Sequence, residues 1–309
     1  MRIVYAARIL YCSALLLQTA RTLPSADLDT PRLVQLPSAG ASRSSFGIVS
    51  WNIDRGKELP RITAELERQR PGLCLLQEVD WNTRRTDYAD VPGTLAGALH
   101  LNMAYGIEFE ELSQERKGES AYIGQATLTR LPIRNARVLR FKTQSGFWKP
   151  RAWLPSSLPL MQRRAGGRIA LVTELEFQGG LWVVYNAHLE SRSYGRIQEK
   201  QLHEILNDAN RYGPSTSVII GGDLNTKYFP SIYLKKLERE GFHSALGERI
   251  ERTHTIAMAL DWIFVRGPIK IERGQVRRDM KGSDHFAVYA DLAPDAATQA
   301  RRQPHATQP

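Results

Sequence analysis

Residues suited to phosphoryl chemistry recur in this chain wherever a short apolar run ends. "SWNIDRG" leaves Asn52 and Asp54, "LLQEVDW" leaves Glu78, "NAHLES" leaves His188, and "GGDLNT" leaves Asp223 and Asn225. "LDWIF" begins a run at Asp261, and "GSDHF" sets Asp284 and His285 before the last one. Taken singly, an acid or amide at a strand end is an ordinary turn residue that bonds nearby backbone, and a lone histidine ordinarily satisfies a local hydrogen bond. Six such sites in one chain point to a shared centre. Asn52, Glu78 and Asp284 offer hard oxygen donors, with no cysteine among them and too few histidines for a zinc cage. Oxygen sets of this kind suit Mg²⁺ or Mn²⁺, which keep several waters and bind through one or two carboxylates plus substrate phosphate oxygens. The expected reaction is attack on phosphorus.

"IIGGDLNT" (219–226) raises the question of position. A buried run breaks at Gly221 and Gly222 and presents Asp223 and Asn225, two residues apart and therefore on one face. The elements that must hold such groups follow from periodicity. Strands are expected at 46–52, 73–79, 122–129, 168–177, 181–189, 217–222, 260–265 and 285–292, from short apolar or alternating runs bounded by turn residues. Helices are expected at 58–69, 194–212 and 230–240, from apolar residues at helical spacing with Gly or Pro nearby. Many strands with few helices between them favour two packed sheets flanked by helices over a doubly wound parallel sheet.

The 309 residues, 42% hydrophobic and 24% charged, describe a globular chain able to bury a sizeable core. Residues 24 to 45 are rich in Pro, Ser, Ala and Gly, and the end is polar. The expected organisation is therefore a leader and linker at 1–45, a body at 46–292 and a tail at 293–309. The leader has a basic start and a short apolar run from Ile9 to Leu17, the length of a signal-peptide core and too short to span a bilayer. It lacks a convincing cleavage site, so a cytoplasmic location is favoured, with export the competing reading. Cys12 and Cys74 make neither a disulfide framework nor a zinc site. The net charge of +10 and pI near 9.7 lean towards a polyanionic partner: a nucleic acid, an anionic membrane surface or a phosphorylated substrate. No protein partner is implied, and a monomer is expected.

The segments "WNID", "QEVD", "NAHLES", "GGDLNT", "LDWIFV" and "GSDHF" stand in the same order as the signature segments of the endonuclease/exonuclease/phosphatase superfamily. On them the chain resembles the deoxyribonuclease I and exonuclease III kind of metal-dependent phosphohydrolase over nearly all of 46–292. The resemblance implies a four-layer α/β/β/α sandwich, an α/β (α+β) fold with its site at one end of the two sheets. It implies that Glu78 binds the catalytic Mg²⁺ (or Mn²⁺), with Asn52 and Asp284 close by and Asp54 a weaker candidate. His285 would accept a proton from the attacking water or orient it, with Asp261 fixing its tautomer, or Asp223 would orient that water instead. Asn225 would bond the phosphoryl group or fix Asp223, and His188 would donate to a non-bridging or leaving oxygen.

The function so implied is a divalent-metal-dependent phosphodiesterase or nuclease. The competing reading is a sphingomyelinase-like lipid-headgroup or small-molecule phosphodiesterase or phosphatase. The histidine form "NAHLES" resembles the deoxyribonuclease I, sphingomyelinase, deadenylase and inositol phosphatase branches rather than apurinic-site endonucleases. Candidate substrate contacts are Gln125, where many relatives have Asn, Arg84 beside Arg85, and Trp148. Trp148 lies in the stretch 140–164, where Phe147, Trp148 and Trp153 alternate with Lys149, Arg151, Arg163 and Arg164. Such alternation stacks bases while binding phosphates, seats a protein at a lipid headgroup layer, or is a loop packed on the domain edge. His203, His243 and His254 have no comparable context and are read as structural.

Overall fold

A computed structural model of the chain describes residues 27–36, 46–149 and 163–295. In chain order the strands are β1 (Arg32–Val34), β2 (Phe46–Arg55), β3 (Leu73–Trp81), β4 (Asn102–Glu111), β5 (Tyr122–Thr129), β6 (Ile133–Arg140) and β7 (Arg164–Gly166). They continue as β8 (Ile169–Phe177), β9 (Gly180–His188), β10 (Ser217–Asp223), β11 (His243–Ser244), β12 (Asp261–Arg266), β13 (Ile269–Arg277) and β14 (Ala287–Pro294). The helices are α1 (Leu59–Gln69), α2 (Val91–Leu99), α3 (Arg196–Ala209) and α4 (Pro230–Arg239).

One sheet has the order β1-β4-β5-β3-β2-β14-β13, with β7 added on β4; the other runs β11-β12-β10-β9-β8-β6. Within them β2–β3 and β9–β10 are parallel pairs, and their neighbours pair antiparallel. Period-two alternation sorts each strand between layers. In β2, Val49 and Trp51 join Ile62 and Leu66 of α1 and Leu95 of α2, while Ile48 faces the second sheet. In β3, Cys74 and Leu76 face the helices while Leu73 and Leu75 face inward. The second sheet is covered outside by Leu202 and Ile205 of α3 and Leu234 and Leu237 of α4, in one core with its inner face. The four-layer α/β/β/α sandwich follows.

Four longer elements escape the sequence pattern. β4 is buried almost throughout and shows no alternation. β6 and β13 lie at sheet edges and carry exposed charged residues, which hides the strand period. α2 contains two glycines and a proline, poor helix formers, yet its proline occupies the first turn and Asp90 caps its amino end by accepting from the Gly93 amide at 3.0 Å. Ahead of the expected start at 46, Arg32–Val34 pairs with Met103–Tyr105 and extends the first sheet.

A buried amide pair clasps the sheets close to one end. Gln77 Nε2 donates to Asn186 Oδ1 at 2.7 Å, and Asn186 Nδ2 donates to the carbonyls of Leu76 (3.2 Å) and Ala126 (3.0 Å). Those carbonyls lie beside irregularities in the β2–β3 and β3–β5 ladders, where the chain leaves regular pairing.

Candidate functional site

Register assembles the site. His188 pairs with Asp223 across the parallel β9–β10 ladder, and Asp223 pairs with Asp261 across the antiparallel β10–β12 ladder. Directly paired residues project to the same face of a sheet. Three side chains separated by tens of residues in sequence are therefore adjacent at the end of the second sheet. Gly222 makes this possible: it sits at φ 139°, and a Cβ there would come within 1.9 Å of the Ala187 carbonyl oxygen. A glycine at that place lets β10 run close beside β9 just before Asp223.

Asp223 is the hub. Its Oδ2 accepts from Asn52 Nδ2 at 3.2 Å, and lies 3.6 Å from His188 Nε2 and 3.9 Å from His285 Nε2. Its Oδ1 accepts the Asn225 amide at 3.0 Å. Asn225, at φ 49°, donates from Nδ2 to the Leu189 carbonyl. Its side chain therefore braces the loop after His188 rather than standing free. His285 Nδ1 lies 2.9 and 3.1 Å from the two carboxylate oxygens of Asp261, leaving Nε2 to face Asp223. Burial pushes the His285 imidazolium down, but contact with Asp261 and the field of Asp223 outweigh it and raise the group to about 10.

Glu78 stands at the other sheet, at φ 50° and partly exposed, with Arg55 Nη2 3.3 Å from its carboxylate. Burial raises its proton affinity, and Arg55, His188, Arg164 and Arg168 together bring it well below the usual carboxylate range. Asp54 and Arg55 are also held at positive φ, so the ends of β2 and β3 spend backbone strain where the functional groups emerge. Asp54 itself is occupied by Arg55 and Lys57.

Beneath this surface lies a buried layer absent from the sequence reading. Arg168 Nη1 sits 2.9 Å from the His188 ring nitrogens and forms an ion pair with Glu108 Oε1 at 2.5 Å. Glu108 Oε2 lies 3.3 Å from His188 Nδ1. Sequence offered no signal for Glu108, because β4 itself was not recognised, and "GGRIAL" marks Arg168 only as the start of a strand. His254, read as structural, packs edge-on against His285 with ring centroids 4.6 Å apart. Its Nδ1 accepts the Ile256 amide and its Nε2 is 3.4 Å from Asp284 Oδ2.

The remaining sequence candidates fall into different places. Asp284 is half-exposed, with its Oδ2 3.4 Å from His254 Nε2. Gln125 is fully buried and donates to Glu108 at 3.2 Å, which makes it a brace for the inner layer instead of a surface contact for substrate. Arg84 lies on a short 3₁₀ turn, with Nη2 3.4 Å from the Ser113 carbonyl, and is not bonded to the cluster. Arg85 is also structural, forming a bidentate pair with Asp80 and a further contact with Glu111. Trp148 has the guanidinium of Arg164 4.5 Å and that of Arg192 5.5 Å from its ring centroid, with Phe147 edge-on at 4.8 Å. Its ring is engaged within the protein. Trp153 and Arg151 lie outside the described residues.

Among the described residues, two groups bring three potential ligand atoms within 4.8 Å of one another: Asp223, Asp261 and His285, and His254, Asp284 and His285. With Asn52 bonded to Asp223, the donors around the first group are carboxylate and amide oxygens beside one imidazole, which fits a small hard divalent cation.

Comparison with known proteins converges on the same segments. The sequence profile described as the Endonuclease/Exonuclease/phosphatase family matches residues 49–285. The chain belongs to the endonuclease/exonuclease/phosphatase family. Tyrosyl-DNA phosphodiesterase 2 of Gallus gallus is 25% identical to this family member over 203 residues, 60% of this chain and 42% of the relative, so the match spans less than half of that protein. An endonuclease/exonuclease/phosphatase of Beutenbergia cavernae shares its fold with a TM-score of 0.60 at 18% identity, covering 82% of this chain and 72% of that one. The human nocturnin catalytic domain superposes with a TM-score of 0.61 at 17% identity, covering 85% and 97%.

Proposed function

We propose that this family member is a divalent-metal-dependent phosphodiesterase that cleaves nucleic-acid phosphodiesters by in-line attack of water on phosphorus. The observation that carries the proposal is the row His188, Asp223, Asp261 held in register at one sheet end, with His285 closing on Asp261. The basic charge and the DNA substrate named for the Gallus gallus relative support the substrate class.

The cation, Mg²⁺ or Mn²⁺, would be held by Glu78 with Asn52 and Asp284, and when bound supplies Lewis-acid polarisation of a phosphoryl oxygen. Asp223 Oδ2 orients the attacking water and takes its proton, while the protonated His285 Nε2, 3.9 Å away, faces the same point and stabilises the charge there. Asp261 fixes the His285 ring and balances its charge. His188, backed by Arg168, faces the reacting centre with a polarised N–H for a non-bridging oxygen as phosphorus becomes five-coordinate. Asn225 keeps Asp223 and the Leu189 backbone in one arrangement, so the constellation is preorganised by bonds already made.

The test is hydrolysis of bis-p-nitrophenyl phosphate, plasmid DNA, single-stranded RNA and sphingomyelin, with Mg²⁺ and with EDTA, by the parent protein and His285→Ala. Metal-dependent cleavage of the nucleic acids, lost in the variant, is expected. Undiminished turnover by His285→Ala, or in EDTA, would overturn the mechanism; turnover of sphingomyelin alone would overturn the substrate class.

A further inference from the structure

The loops that leave His188 and Asp223 carry a feature that the hydrolytic mechanism does not use. Tyr194, six residues after His188, is 86% exposed, and Phe229, six after Asp223, is 72% exposed; Tyr228 beside it is 44% exposed. The Tyr194 and Tyr228 rings meet across the two loops with centroids 5.7 Å apart and planes inclined at 45°. Lys227 ties the loops together by donating from Nζ to the Ser191 carbonyl at 3.0 Å. Arg192 lies exposed between His188 and Tyr194, its guanidinium 4.8 Å from the Phe147 ring centroid. Phe229 is held at φ 53°, a conformation unfavourable for a bulky residue, with its ring in solvent. Apolar rings gain nothing by themselves from such exposure, and backbone strain of this kind persists where the surrounding structure enforces it.

We propose that Tyr194, Tyr228 and Phe229 form a stacking platform for unpaired bases of a single-stranded nucleic acid whose scissile phosphate lies at Asp223 and His285; this rests on the hydrolase reading above. Every base has a π-face, so stacking on aromatic rings binds strands of any sequence, while cations beside the rings follow the backbone. Arg192 and Lys227 occupy that second role. The platform is continuous with the centre because the loop after His188 is pinned to Asp223, whose carbonyl accepts the Leu189 amide at 2.9 Å. A duplex keeps its bases stacked on one another and offers these rings no free face. A membrane surface would instead favour an amphipathic helix presenting aliphatic anchors to the acyl boundary. Here the exposed rings are mostly tyrosines on loops, with cations between them.

The experiment measures equilibrium binding in EDTA, where turnover is suppressed, by fluorescence anisotropy. The ligands are a labelled oligothymidylate, a labelled duplex, and vesicles of phosphatidylcholine and phosphatidylserine. Replacing one ring by alanine is expected to weaken oligothymidylate binding about 5-fold or more, from a stacking contribution of about 1–3 kcal/mol per base. Tyr194→Ala and Tyr228→Ala should therefore both lose affinity with an unchanged salt slope, since phosphate contacts remain. Tyr194→Phe and Tyr228→Phe should bind as the parent does. Equal affinity of the alanine variants for oligothymidylate, or the same loss for the duplex, would overturn the platform. Loss of vesicle binding in place of oligothymidylate binding would assign the patch to a membrane. Thermal unfolding of each variant separates a lost contact from a lost fold. Turnover of bis-p-nitrophenyl phosphate by the parent reports the hydrolase reading independently, because that ester carries no base.

Discussion

Removing the Asn186 side chain tests whether the clasp between the sheets is what holds the two halves of the site together. Asn186→Ala deletes three buried hydrogen bonds, one from Gln77 and two to the carbonyls of Leu76 and Ala126. At about 1 kcal/mol net each, the loss is about 3 kcal/mol, before any penalty for leaving buried groups unpaired. In a body of this size that corresponds to a fall in Tm of about 6–12 °C. Gln77 keeps its bond to the Leu75 carbonyl, so its partner's loss leaves it half-satisfied. Adding Gln77→Ala to Asn186→Ala should then cost less than Gln77→Ala alone, giving a coupling of about 0.5–3 kcal/mol in a double-mutant cycle. The assay is urea and thermal unfolding at neutral pH, followed by tryptophan fluorescence and far-UV circular dichroism. A Tm within 2 °C of the parent, or strictly additive effects, would refute the clasp.

Other perturbations address the site and its surroundings. Gly222→Ala puts a methyl group against the Ala187 carbonyl at a backbone angle that alanine resists; a destabilisation of at least about 2 kcal/mol and loss of turnover are expected, and a parent-like Tm would contradict the close approach of β10 to β9. Glu78→Gln removes the anion that Arg55 and the neighbouring cations keep ionised, so the Mg²⁺ concentration for half-maximal activity should rise about 10-fold or more, and an unchanged metal titration would remove Glu78 from the metal site. Asp208 receives hydrogen bonds from Arg137, the Tyr185 hydroxyl (2.7 Å) and Arg211 (3.0 Å). Burial raises the Asp208 carboxyl, but bonds to Arg137 and Tyr185 bring it below its ordinary value, so its stabilisation is present above the unfolded-state pKa near 4 and lost as pH falls through the lower folded value. The Tm deficit of Asp208→Asn should therefore be full at neutral pH and vanish in strong acid; a deficit independent of pH would assign the loss to packing.

Much of the fold could be read from the sequence because the inner strands bury apolar residues continuously or in alternation. "LCLLQEV", "LWVVYNAHL" and "SVIIGG" declare themselves as short apolar runs bounded by turn residues, and the helices 59–69, 196–209 and 230–239 through apolar residues at helical spacing. Edge strands such as β6 and β13 were invisible for the converse reason, since one face and one edge meet water and tolerate arginines and glutamates. The candidate site residues were legible through their position at strand ends, where polar groups adjoin apolar runs in six ordered segments.

Sequence by itself determined the inventory: which acids, amides and histidines emerge from the core, the set on which the proposed phosphoryl chemistry rests. Tertiary structure decided their company. The register of β9, β10 and β12 sets His188, Asp223 and Asp261 side by side, the packing of β4 of the first sheet near the start of β8 brings Glu108 and Arg168 together beneath His188, and the turn before β14 brings His254 against His285. Pairing, burial and the electrostatic field at a residue are properties of neighbours distant along the chain. For that reason Gln125 and Trp148, similar in sequence terms to surface contacts, are engaged inside the protein, while Tyr194 and Tyr228 meet only after two loops fold to the same end of the sheets.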